Sequence, residues 1–279
     1  MCIGRNVNNA LHLWHPPQAP ETTRMLVCNN DSTIRMFNVP TMEELDSISF
    51  PAPMNYAQVS PDGSRFCAVG DNYVINVHRA REDGSWSHQP EMVLHEFKDA
   101  GMSCAWSRDG ALIGAAGQDN RACLWDARSG ALVAMYRTDS ACRNIKFSQG
   151  PFVDLLAFSE NERQVNLVDL RMLSRRQVLV VGGGSSEDGG VGGGLGNIGG
   201  GLRDPPAVRV GGRIVPGSNL VIHTPGHHQH RFHPQHTENI TGLSFGANGT
   251  SLMAGSETGI NAWQVDMVRR RTFAEGGLV

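Results

Sequence analysis

Apolar residues along this chain gather in short runs separated by turn-forming clusters, and the runs recur in a fixed order. A run ending in an aromatic or aliphatic residue comes first, followed by a turn of the Ser-Pro-Asp-Gly type. A second apolar run, an acidic turn, a third run and a more polar fourth run complete the unit. Tyr56-Ala57-Gln58-Val59, Ser60-Pro61-Asp62-Gly63 and Phe66-Cys67-Ala68-Val69-Gly70-Asp71 show the order clearly. Proline presets φ and glycine accepts the positive φ of the turn, so Pro-Asp-Gly reverses the chain between two strands. Cys104-Ala105-Trp106 with Ser107-Arg108-Asp109-Gly110 repeats it, as does Gly242-Leu243-Ser244-Phe245 with Gly246-Ala247-Asn248-Gly249. Ile145-Lys146-Phe147 with Ser148-Gln149-Gly150 is a weaker copy. Near the N-terminus, Ala10-Leu11-His12-Leu13-Trp14, Met25-Leu26-Val27-Cys28 and Ile34-Arg35-Met36-Phe37 form another set. Runs apolar on both faces predict strands of sheets covered on both sides.

An acidic turn followed six residues later by a large apolar residue marks each unit. The pairs are Asp31 with Phe37, Asp71 with Val77, Asp119 with Trp125, Glu162 with Val168 and Glu257 with Trp263. Successive acidic positions lie 40, 48, 43 and 95 residues apart. A period of about 40–45 residues with this layout predicts four-stranded propeller blades. The expected fold is therefore an all-β propeller with five recognisable blades.

The long interval holds about one repeat and a further segment. Residues 182–201 include twelve glycines, a composition that cannot bury enough side chain to offset backbone ordering. Residues 203–235 carry the apolar fragments Val208 to Val215 and Leu220-Val221-Ile222, without an aromatic strand end or an acidic turn. The expected organisation is blades one to four over 1–181, a flexible Gly-rich and His-rich insertion over 182–235, and the last blade with a tail over 236–279. A degenerate sixth blade within 203–235 is the alternative.

A net charge of −3 and a pI near 6.4 give no electrostatic reason to expect nucleic acid. Arg269-Arg270-Arg271 is the only triple-basic run. The six cysteines fall singly with no CxxC spacing, which fits buried free thiols better than a zinc knuckle or a disulfide framework. The chain starts without the apolar run of a secretory signal and holds no membrane-spanning stretch, so a cytoplasmic or nuclear location is expected. His223, His227, His228, His230, His233 and His236 cluster within fourteen residues, but prolines interrupt them and no cysteine is near. No metal site is assigned there. The glycine-rich segment has no GxxxxGK[ST], and no G-x-S-x-G or convergent carboxylate pair occurs. Neither a cofactor nor catalysis is expected.

These residues resemble the WD-repeat family, β-propellers whose blades end in Trp-Asp as Trp125-Asp126 does here. Residues 96–126 and 236–266 carry the resemblance best. Rings of this type more commonly close with seven blades, so the five visible ones imply a small ring or, preferably, the C-terminal part of a longer protein. In the family a His, a strand hydroxyl, the turn Asp and the Trp form a buried hydrogen-bonded set. The resemblance makes Asp31, Asp71, Asp119, Trp125, His236 and Trp263 structural residues. Departures are visible: Phe97 stands where the third blade's His would be, Ala115 lies near the hydroxyl position, and Glu257 replaces Asp. Val7-Asn8-Asn9, Asn29-Asn30-Asp31, Pro53-Met54-Asn55, residues 153–160 and 259–263 are further similar to fungal WD-repeat proteins with a C-terminal domain of unknown function.

The resemblance implies a non-catalytic protein-interaction scaffold, with other proteins as partners and neither nucleic acid nor membrane. Partner-facing positions on the narrower face would include Asn8, Asn30, Asn55, Met102, Gln118, Arg143, Asn161, Thr241 and Ser256. A second implied function comes from Leu124-Trp125-Asp126-Ala127-Arg128 and Val168-Asp169-Leu170-Arg171. WD-repeat substrate receptors of cullin-type ubiquitin ligases carry this Asp-x-Arg pattern, in which the Arg contacts an adaptor. Arg128 and Arg171 would make that contact, oriented by Asp126 and Asp169.

Overall fold

The computed structural model describes residues 6–151, 153–161, 163–181, 208–210, 213–215, 239–257 and 259–265. Strands, turns and irregular segments account for all of them. The first blade is β1 (Asn8–Trp14), β2 (Arg24–Asn29), β3 (Thr33–Asn38) and β4 (Glu43–Ser49). The second is β5 (Met54–Val59), β6 (Arg65–Gly70), β7 (Ile75–Arg79) and β8 (Met92–Leu94). The third is β9 (Gly101–Trp106), β10 (Leu112–Gly117), β11 (Arg121–Asp126) and β12 (Leu132–Arg137). The fourth is β13 (Cys142–Phe147), β14 (Leu155–Glu160), β15 (Gln164–Asp169) and β16 (Arg176–Val180). Two short strands follow, β17 (Val208–Val210) and β18 (Arg213–Val215). The fifth blade is described through β19 (Ile240–Phe245), β20 (Ser251–Ser256) and β21 (Gly259–Gln264).

Each blade is an antiparallel meander of strands in chain order. The first strand of each packs against the first strand of the next, from β1 through β5, β9 and β13 to β19. These are the inner strands of a β-propeller, and successive blades face each other across separate apolar cores. Leu26, Ile34, Ala57 and Phe66 lie between blades one and two; Val69, Val77, Cys104 and Trp106 lie between two and three. Leu124, Tyr136, Ile145 and Phe158 join three to four; Leu155, Leu167, Leu252 and Trp263 join four to five. Trp106, Trp125, Phe66 and Phe158 are fully buried. A large apolar side chain buried in this way contributes about 1.5–3 kcal/mol.

The turns form as their residues dictate. Gly63 and Gly110 sit at φ +70°, while Ser60 and Ser107 donate their hydroxyls to Asp62 and Asp109 at 2.6 Å. Blades four and five meet closely at Gly150, where a Cβ would lie 1.9 Å from the Asn248 carbonyl oxygen.

Two registers differ from the expected ones. Met25 pairs with both Leu13 and Phe37, as Ile113 pairs with Trp106 and Trp125. Leu13, not Trp14, is therefore the counterpart of Trp106, and Trp14 pairs one step further on with Arg24. In the second blade Phe66 pairs with Val59 and His78, so His78 rather than Val77 matches Trp125. Asp71 is then the residue directly after β6, level with Gln118 after β10. A one-residue slip reverses which face a strand side chain occupies. Both slips arise where a run is apolar on both faces and gives no alternation to count.

Residues 208–215 add a hairpin to blade three. β17 pairs with β12 through Ala134–Val210 and Met135–Arg209, and β18 pairs with β17. The rest of the predicted insertion, the clustered histidines including His236, Glu162 and the triple-arginine run lie outside the described residues. The cysteines at 28, 67, 104, 123 and 142 are buried free thiols.

Candidate functional site

One irregularity recurs in all five inner strands. The ladder skips a residue between Asn8 and Ala10, between Met54 and Tyr56, and at Met102. It skips again between Cys142 and Asn144 and between Ile240 and Gly242. The bulged residues are Asn9, Asn55, Met102, Arg143 and Thr241. A bulge re-aims its side chain and commonly sits beside functional surfaces. Four of these five were expected at partner-facing positions. In the first blade the bulge falls on Asn9 and not on the expected Asn8. Asn8 instead accepts a hydrogen bond from Asn29 Nδ2 at 2.7 Å.

Several bulged side chains tie neighbouring parts together. Asn9 Nδ2 donates to Asn30 Oδ1 (2.7 Å) and to the Met54 carbonyl of blade two (2.9 Å). Asn55 Nδ2 donates to Asp71 Oδ1 and to the Gly101 carbonyl of blade three, both at 2.9 Å. Arg143 Nε donates to Asn161 Oδ1 at 2.6 Å, and Thr241 Oγ1 to the Gly255 carbonyl at 3.3 Å. Arg143, Gln118 and Thr241 are exposed, Asn55, Met102 and Asn161 half-buried. Together they form a polar rim around the start of the inner strands, with Met102 as an apolar element. Ser256 lies at the end of β20 and Glu257 directly after it. Asn9 was missed because nothing in the Asn8-Asn9 pair marks which one bulges.

The opposite face carries the Asp-x-Arg pairs, at the ends of the third strands β11 and β15. Their geometries differ. Arg171 Nε and Nη2 form a fork on Asp169, at 3.0 and 2.7 Å, and this hydrogen bonding raises the Arg171 pKa. Asp169 is buried and Arg171 exposed. Asp126 behaves otherwise: it accepts the Ser129 hydroxyl and N–H at 2.7 Å and the Arg128 N–H at 3.1 Å. The Ser129 hydroxyl chiefly holds its carboxyl below the usual range. Asp126 thus caps its turn and does not orient the exposed Arg128 guanidinium, which corrects the expected role.

Inside the blades the family's polar set is partly replaced. Phe97 packs edge-on against Trp125, with ring centres 6.0 Å apart. Asp119 Oδ2 accepts the Lys98 N–H at 2.8 Å and lies 3.3 Å from Arg121 Nε. Asp31 binds Thr33 and Arg35, and Trp263 is 3% exposed. In blade four a different network appears, with Arg176 and Glu160 each 2% exposed. Arg176 Nε donates to Asn166 Oδ1 at 2.7 Å, and Asn166 Nδ2 donates to Glu160 Oε1 at 2.8 Å. Glu160 Oε2 also accepts the N–H groups of Asp139 and Ser140. Among the described residues, no group of three His, Cys, Asp or Glu side chains converges to hold a metal.

Residues 92–126 match the family described as WD domain, G-beta repeat. The chain carries a WD repeat. The match begins at β8 of blade two and ends with β11 of blade three, so the sequence repeat is offset from the blade by one strand. Residues 140–180 of this WD-repeat chain match an uncharacterised protein domain of unknown function, DUF2415. That stretch contains β13 to β16, the whole fourth blade with its Glu160–Asn166–Arg176 network.

An uncharacterised protein of Schizosaccharomyces pombe is 25% identical over 173 residues, covering 59% of this chain and 49% of that protein. Eukaryotic translation initiation factor 3 subunit I of Emericella nidulans is 25% identical over 147 residues, covering 49% of this chain and 44% of its own. The Neosartorya fischeri protein of the same name is 24% identical, covering 49% of this chain and 45% of its own. The WD-repeat chain matches about half the length of each of these relatives.

Proposed function

We propose that this WD-repeat chain is a non-catalytic protein–protein interaction scaffold of the cytoplasm or nucleus, whose partner docks on the rim at the start of the inner strands. The observation that carries this reading is the bulge repeated at one level of all five inner strands. It presents Asn55, Met102, Arg143 and Thr241 side by side, with Gln118 beside Met102's blade edge. A mixed polar surface with one Met and one Arg suits a protein partner better than nucleic acid, which calls for clustered cations. The relatives named as a subunit of a translation initiation factor are in keeping with work by protein contact.

Affinity purification of partners from the source cell tests it. Met102→Asp with Arg143→Glu is expected to reduce recovery of the main partners at least tenfold while leaving the melting temperature nearly unchanged. Interface anchors of this kind contribute about 2 kcal/mol or more. Full recovery by the double variant would sink the rim as the docking surface.

A second reading is supported by the Arg171–Asp169 fork, which preorganises a guanidinium for a directed contact. In it the chain is a substrate receptor of a cullin-type ubiquitin ligase, with Arg128 and Arg171 on the adaptor. Arg171→Ala would then remove the adaptor from the same purification while the rim variant retained it. The unsupported guanidinium of Arg128 should matter less than Arg171.

A further inference from the structure

Where the inner strands of blades one to four end, their side chains surround a cavity of about 170 Å³. His12 and Trp14 come from blade one, Gln58 and Pro61 from blade two, Trp106 from blade three and Gln149 from blade four. No Asp, Glu, Lys or Arg is among the described residues that line it. Burial first, and the charge of Lys146 second, hold the His12 imidazole down to about 4, so it is neutral near pH 7. The His12 ring lies parallel to that of Trp14, with centres 6.3 Å apart, and the Pro61 ring is exposed. The wall is therefore flat and aromatic, and it lacks a fixed charge.

Gln58 is oriented by its neighbour in blade three. Its Oε1 accepts the Trp106 backbone N–H at 3.2 Å, and its carbonyl accepts Trp106 Nε1 at 3.0 Å. The amide oxygen is engaged, which leaves Nε2 as a donor. Trp106 is itself held, because the Arg65 guanidinium lies over its ring at 5.1 Å and donates to the Ala127 carbonyl at 2.7 Å. Ser60, also on the wall, spends its hydroxyl proton on Asp62. Among the described residues neither Gln58 Nε2 nor Trp14 Nε1 makes a hydrogen bond. The cavity thus offers two N–H groups beside aromatic carbon.

We infer that this cavity binds a proline residue of a partner polypeptide, its pyrrolidine ring against Trp14 and the adjoining carbonyls on Gln58 Nε2 and Trp14 Nε1. An ionic ligand would meet no counter-charge among the lining side chains. A sugar or a nucleobase brings donors of its own, and the Gln58 oxygen is already engaged. A peptidyl-proline is a tertiary amide, so it accepts at its carbonyl and has no N–H to leave unpaired. It is also rigid before binding, which is why aromatic-lined grooves take such segments at low entropic cost. The volume equals roughly five or six waters, room for one pyrrolidine ring with an adjoining carbonyl. The site lies on the face opposite the rim and stands or falls independently of the rim reading.

The test is calorimetry and NMR of side-chain N–H groups on the whole purified chain. The probes are acetyl-Ala-Pro-Ala-Pro-Ala-amide, its counterpart with Ala at every position, methyl glucoside and adenosine. Saturable binding of the proline peptide is expected, with no binding of the all-Ala peptide. The Trp14 indole and Gln58 amide signals should move on binding, while that of Trp125, buried between blades two and three, stays in place. Trp14→Leu and Gln58→Leu should each weaken binding by about tenfold, the first by removing the aromatic wall and the second the donor. If neither variant folds, the signals of the unaltered chain decide the matter. Absence of saturable binding by the proline peptide overturns the inference, as does equal binding of the all-Ala peptide. So does binding of the glucoside or adenosine in its place, unmoved Trp14 and Gln58 signals, or unchanged affinity in either folded variant.

Discussion

His12 shows how a single position couples to the whole chain. Its imidazole titrates at about 4, against an ordinary value of 6.5, mainly through burial. The unfolded chain therefore takes up a proton between these values that the folded chain does not. The resulting stability is fully present above about pH 6.5 and is lost as pH falls toward about 4. His78, also shifted down by burial, acts in the same direction. His12→Gln should flatten the stability profile over that window, read as urea midpoints at pH 5 and 7.5. Because His12 is half-buried, the effect should stay well below the roughly 1.4 kcal/mol per unit that a fully shielded group gives. An unaltered slope in the variant would show that other groups govern the acid limb. None of this was legible in Leu11-His12-Leu13, because the positive charge that acts on the ring, that of Lys146, is 134 residues further on. The rim, by contrast, was legible to within a residue in four blades, since its positions follow from strand ends marked by Val59, Trp106, Phe147 and Phe245.

Among the elements, inner and middle strands were readable from their apolar runs, and outer ones much less so. β4 is largely exposed and β8 has three residues, so neither prints a strong pattern. The hairpin of β17 and β18 escaped detection because it pairs with β12, more than seventy residues earlier. Blade four is the other surprise. Glu160 on β14, Asn166 on β15 and Arg176 on β16 lie on a diagonal across the sheet, out of register with one another, and no spacing rule links them in sequence. Arg176→Met should destabilise the chain by about 3–5 kcal/mol, because it strands a buried carboxylate. Combining it with Glu160→Gln should restore part of the loss, since the remaining group is then neutral. Denaturant midpoints of the two variants measure this; equal losses would mean that Glu160 is not the charge at stake.

At the scale of the molecule, the repeat interval predicted the number of blades, because each blade uses about the same length of chain to cross its sheet four times. The series of inner strands runs from β1 to β19, and among the described residues the blades at its two ends carry exposed apolar side chains. Leu11 and Leu13 are 56% and 58% exposed on β1, and Ile260 is 77% exposed on β21. Exposed apolar side chains beside one another on a sheet favour association. Leu11→Ser with Leu13→Ser should reduce concentration-dependent association in sedimentation, with stability shifted by no more than about 0.5 kcal/mol. A sedimentation profile identical to that of the wild type would remove these leucines from the cause.

The offset between the WD repeat and the blade has a genetic consequence. A duplicated copy of residues 92–126, inserted after itself, would bring its leading strand to close blade three. Its other three strands would start a new blade, closed in turn by the original β12. Every sheet would keep four strands, yet two of them would have exchanged their outermost member. Lineages can thus change the number of units without leaving an orphan, provided that outer strands are interchangeable. The short, weakly patterned β8 and the exposed β4 are what such interchangeability requires of a sequence.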